Sequence, residues 1–180
     1  MNHSQIHQLQ ASYSQEQDRV LLRINTSDHA EFRFWLTRRF VQRFWRVLRN
    51  HLENQHQIAG VDPNSRAALL EFMHHSATSQ TDFDAPYQET ADTVTPLGRE
   101  PIVVTQAGIR PVPDSEELSM VSLHPEEGYG IELAMDTQLM HGFCKLLADA
   151  MAHSEWDLDL GFAHIPRNEE VITQGGQLLH

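Results

Sequence analysis

The chain has 180 residues, 40% of them apolar and 21% charged, with a net charge of −12. This balance excludes full disorder, and the length gives room for one ordinary domain or two small ones. A single cysteine, Cys144, excludes a disulfide framework or cysteine-cluster metal site, and with no apolar run long enough for a membrane span or signal core, a cytoplasmic protein is expected.

Residues 1–59 contain no glycine and no proline, so their turns must use Asn, Asp and Ser. From His7 to Tyr13, polar and apolar residues alternate, placing Leu9, Ala11 and Tyr13 on one face of a strand. Asp18 to Asn25 reads as a second strand with Val20, Leu22 and Ile24 inward, after a turn at residues 14–17. Glu31 to Leu36 is a third, with Phe32, Phe34 and Leu36 inward. A helix is predicted over 37–53, capped by Thr37, with Phe40, Phe44, Val47 and Leu48 on its apolar stripe. Asp62-Pro63 opens a shorter helix to about residue 77. Residues 78–98 turn to Ser, Thr, Asp, Glu and Pro and read as a mobile linker.

Order resumes near Pro101, with Ile102 to Ala107 strand-like. Leu118 to His124 and Tyr129 to Met135 form a hairpin about a turn at Pro125–Gly128, and Asp136 caps a helix running to about Ser154. Trp156, Leu158, Leu160 and Phe162 alternate as in a further short strand, and residues 164–180 read as a disordered tail.

Residues 20–52 slide onto 119–151 without a gap. Of 16 apolar residues in the first window, 15 meet an apolar residue in the second, against about eight for random placement. The expected fold is therefore α+β, two related antiparallel β-β-β-α halves over residues 1–60 and 99–163, with a helix packed on one face of each sheet. In architecture alone, this plan resembles the Whirly and PUR-type single-strand-binding folds. The resemblance implies nucleic-acid binding but carries over no residue, since neither family's motif is present and each repeat reads one strand short.

Charge divides unevenly. Residues 1–59 hold eight arginines against five acids, a net of +3, and the remaining five basic and 20 acidic residues give −15. Alternation puts Arg23, Arg33 and Trp35 on the outward sheet face, a composition suited to stacking bases and holding phosphates. Arg38, Arg39, Arg43 and Arg46 lie on the polar side of the first helix. Arg38 and Arg39 oppose the helix dipole, so an anionic partner is expected for them, and Asp136, Asp149 and Glu155 of the second half are candidates.

Twelve histidines invite a metal reading, but their spacings give no shared face: His74 and His75 are adjacent, and His51 and His56 are five apart. His141 and Cys144 stand three apart on the second helix, where a buried structural cysteine is the expected reading. No phosphate loop or nucleophile elbow occurs. The sequence thus points to a non-enzymatic module without cofactor or metal, acting through protein contacts or self-association. The main support is the crowding of six Phe and Trp residues into 32–45, which calls for an opposing surface. Single-stranded nucleic-acid binding through Arg23, Arg33 and Trp35, with Arg38 and Arg39 as further candidates, is the alternative, and an enzyme with a site between the halves is the third reading.

Overall fold

The structure, a computed structural model, describes residues 5–79, 81, 83, 85–88 and 92–162. It is a mixed α+β fold. The elements run β1 (Ile6–Ser14), β2 (Arg19–Thr26), β3 (Glu31–Leu36), α1 (Arg38–Glu53), α2 (His56–Ala59), α3 (Pro63–Thr78), β4 (Ile102–Val103), β5 (Gln106–Pro111), β6 (Leu118–His124), β7 (Ile131–Asp136) and α4 (Thr137–Ala152). One sheet has the order β1-β2-β3-β4 and the other β5-β6-β7. The described tail-ward part of the second half, and all expectations for residues 164–180, end at Phe162, the last described residue.

The local rules operate as written in the sequence. Val20, Leu22 and Ile24 alternate inward on β2 and are fully buried. Thr37, Asp62 and Asp136 each accept a hydrogen bond from a first-turn backbone N–H of the helix that follows. Gly130 is required in the β6–β7 turn, because a Cβ there would lie 2.1 Å from the Leu123 carbonyl oxygen.

Two expectations are corrected. Residues 102–107 do not form one strand: β4 pairs in parallel with β3, after which Val104 N–H donates to Trp35 O at 3.0 Å and Thr105 N–H to His124 O at 3.0 Å. The chain thus leaves one sheet and enters the other within two residues, which makes the first sheet mixed. Residues 156–162 form no strand. Instead Trp156 is buried edge-on against Tyr13, and its indole N–H donates to Asp18 at 2.5 Å.

The two halves correspond closely in places. The β2–β3 pairs Leu22↔Phe34 and Ile24↔Phe32 become Val121↔Leu133 and Leu123↔Ile131 in β6–β7, each residue displaced by 99. The bounds of α1 and α4, and their caps Thr37 and Asp136, differ by the same 99. Helix contacts are reciprocal: α1 lies beside β5 and α4 beside β1, so each reaches the first strand of the other half. The helices meet at Phe44 and Phe143, themselves 99 apart, with ring centroids at 6.1 Å. One continuous core results, from Val20 through Phe44 and Phe143 to Trp156.

That core also accounts for the aromatic crowding. Phe34, Phe40, Phe44 and Trp45 are buried and Phe32 and Trp35 half-buried, so the opposing surface lies within the chain itself. Phe143→Ala is expected to lose about 3–5 kcal/mol of stability, read as a lowered urea midpoint. Because both halves share the core, intrinsic fluorescence and circular dichroism should report one common transition.

Candidate functional site

The outward face of β2 and β3 is not an open platform. Glu31, 1% exposed, accepts hydrogen bonds from Arg23 at 3.2 Å and from Arg33. The Tyr87 hydroxyl donates to the same carboxylate at 2.9 Å, and its ring lies 3.9 Å from the Arg23 guanidinium. Burial disfavours the Glu31 charge, but the bonds from Arg33 and Tyr87 and the Arg23 charge outweigh it and hold the carboxyl below its usual range. Trp35 is half-buried, and its carbonyl is bound by Val104.

Tyr87 belongs to the segment expected to be a mobile linker. Its described residues contact both halves, Tyr87 and Val94 the first and Phe83 the second. Val94 exchanges backbone hydrogen bonds with His29 and Glu31 beside β3, and Gln8 donates to the Pro86 carbonyl at 3.3 Å. Composition underrated this segment because a few well-placed groups, Tyr87 above all, anchor it. Arg23 and Arg33 are consequently engaged inside the protein rather than offered to a ligand.

The α1 arginines are placed differently. Arg38, Arg39, Arg43 and Arg46 are all exposed, and among the described residues none makes a hydrogen bond or ion pair. The anticipated acidic partners are used elsewhere: Asp136 caps α4, and Asp149 pairs with Lys145 at 2.8 Å. Arg38 acts only at a distance, assisting the bonds from Tyr13 and Trp156 that keep Asp18 acidic.

Beside these arginines runs a groove of about 670 Å³ between α1 and the crossover into β5. Phe40, Val47, Val104 and Ala107 supply apolar walls, and Arg39 and Arg43 stand on it with Glu126. Val47, 41% exposed, continues the apolar surface outward. The geometry suits a ligand that brings apolar groups and negative charge together. Sequence reasoning found the arginines but not the groove, which needs residues from both halves.

A second constellation escaped the sequence. His74 of α3 and His141 of α4 approach with their Nδ1 atoms 3.2 Å apart. One ring must donate and the other accept, so the two cannot both be charged. His141 is 1% exposed, and burial and the neighbouring imidazole push its pKa down to about 4. Burial and Lys145 lower His74 as well. The rings are 67 residues apart in sequence, and no spacing rule could pair them. Among the described residues no group of three His, Cys, Asp or Glu is arranged to hold a metal. Cys144 is fully buried, and burial pushes its thiol up.

No family model, curated protein or solved structure matches the chain. Among the described residues no helix is long and apolar enough to cross a membrane.

Two measurements test these buried clusters. A histidine pKa depressed from 6.5 to about 4 means that the unfolded chain binds the proton first. Stability should be complete above pH 6.5 and decline as pH falls toward about 4, and His141→Leu should flatten that limb in urea titrations at stepped pH. The depressed Glu31 carboxyl adds a separate loss at lower pH, from about 4.5 downward. Glu31→Gln should remove that limb while costing about 3 kcal/mol at neutral pH, because it leaves two arginines without their anion.

Proposed function

We propose that this protein is a non-enzymatic binding module that acts through protein–protein contacts at the arginine face of α1 and the groove beside it. The observation that carries the reading is that Arg38, Arg39, Arg43 and Arg46 stand exposed in a chain of net charge −12, without an ion-pair partner among the described residues, and that Arg39 and Arg43 border a partly apolar groove. Four guanidiniums left unpaired while nearby acids bond to other groups match the composition of interaction surfaces, where arginine is enriched. The reading does not need the aromatic surplus of residues 32–45, which the core absorbs.

The common offset of strand register, helix bounds and caps supports descent of the two halves from one β-β-β-α unit. On that view β4 and residues 54–98 are additions between the copies. The crossing of helices onto opposite edge strands is then what a dimer of that unit looks like after fusion.

Nucleic-acid binding through Arg23, Arg33, Trp35, Arg38 and Arg39 has less support, because Glu31 and Tyr87 already engage Arg23 and Arg33, which leaves the α1 arginines alone to carry it. The combined variant Arg39→Glu, Arg43→Glu, Arg46→Glu tests the choice. It should unfold within about 0.5 kcal/mol of the parent, since the three side chains touch nothing charged. It should also lose, selectively, proteins that the parent retains from extracts of its source cells, as counted by mass spectrometry. Salt-sensitive binding of single-stranded oligonucleotides by the parent, abolished in the variant, would decide for nucleic acid instead.

A further inference from the structure

The α1 groove has a counterpart. A second groove, of about 610 Å³, lies between α4 and β1. Its walls repeat those of the first: Leu139, Gly142 and Leu146 take the places of Phe40, Arg43 and Val47 at the offset of 99, and Gln8 and Leu9 those of Gln106 and Ala107 at an offset of 98. The strand offset is one shorter because the turn before β6 is one residue longer than that before β2, as the pairs Tyr13↔Val20 and Pro111↔Ser119 require.

One side of this second groove is closed by the chain itself, through residues 81, 83, 85, 86 and 88, which pack against α4 and β1. Phe83 sits over Gly142, where an added Cβ would meet its ring at 3.8 Å, and the Lys145 ammonium stands 5.2 Å from the ring centroid. Gln8 holds the backbone on both sides of Tyr87, donating to the Pro86 carbonyl and accepting from the Gln88 N–H at 3.1 Å. In sequence, Phe83 is flanked by Asp82 and Asp84.

Two of the anchors, Gln8 and Lys145, have equivalents beside the α1 groove. Gln106 stands for Gln8 and Arg46 for Lys145, both exposed, while Arg39 and Arg43 replace Gln138 and Gly142. The position has the same backbone grip and the same cation, with two further guanidiniums added. We propose that the α1 groove binds an extended acidic segment of a partner protein, with an aromatic residue between acids, its ring seated against α1 as Phe83 seats against α4. This rests on the protein-binding reading above and names its ligand. A second copy of this chain is the poorer occupant, since its own segment is committed to its own α4 groove. Arg43 lacks the close approach that Gly142 gives Phe83, so the partner's ring should lie along the guanidinium face rather than against the helix backbone.

The probe is a fluorescein-labelled peptide of the sequence found at residues 81–89, titrated with the full chain and followed by anisotropy at low and physiological salt. Saturable binding is expected, weakened about tenfold or more by Arg43→Glu and by Ala107→Trp, which fills the groove floor. A peptide with Phe replaced by Ala, or with both Asp replaced by Lys, should bind no better than background. Circular dichroism and urea unfolding check that both protein variants fold. Absence of binding at hundreds of micromolar, or binding indifferent to both variants, overturns the proposal. If the peptide fails while the arginine triple variant still loses its retained proteins, only this ligand assignment falls. If oligonucleotides bind and the same two variants abolish that binding, the protein-binding reading falls with it.

Discussion

Phe44 and Phe143 meet where α1 crosses α4, and the rest of the molecule is arranged about that contact. Each ring comes from the helix of one half and lies at the equivalent position of its sequence. Because the helices pair there, each is carried past its own sheet to the edge strand of the other half. A helix so placed closes a shared core, but it also leaves a trough between itself and the strand it reaches. The two grooves are therefore by-products of the same crossing. Their different borders, one closed by residues 81, 83, 85, 86 and 88 and one open beside Arg39, Arg43 and Glu126, are what distinguish them.

Charge is allocated by the same geometry. Arg23 of β2 and Arg33 of β3 face one buried carboxylate and a tyrosine, where desolvation makes pairing obligatory. Arg38, Arg39, Arg43 and Arg46 of α1 remain in water, where being unpaired costs little. One half-chain excess of positive charge thus has two physical meanings: the inner arginines fasten residues 85–88 to the sheet, and the outer ones form a surface field. Mutation should separate them cleanly, since the two sets share no partner.

Much of the fold was legible in the sequence wherever one residue type has one local job. Thr37, Asp62 and Asp136 read as caps, the alternation of β2 put Val20, Leu22 and Ile24 inside, and Cys144 sat on an apolar stripe. The candidate site was half legible: its arginines stood on the polar side of a helix, but its walls come from residues some sixty positions away. What escaped depends on meetings at long range. Residues 78–98 have the composition of a solvated linker, and that composition carries no signal of the contacts of Tyr87 with Glu31 or of Phe83 with Gly142. The His74–His141 approach and the split between β4 and β5 are likewise tertiary facts. Trp156 to Phe162 alternated like a strand, but its apolar side chains pack individually, Trp156 against Tyr13 and Phe162 against Trp45.

Trp156 bears on how the protein is made. Its indole seals the β1–β2 turn by bonding Asp18, a residue 138 positions earlier. During synthesis at about 5–20 residues per second, that turn waits about 7–28 seconds for its seal. For most of translation the first hairpin therefore has its turn unlatched and α4 absent from its side.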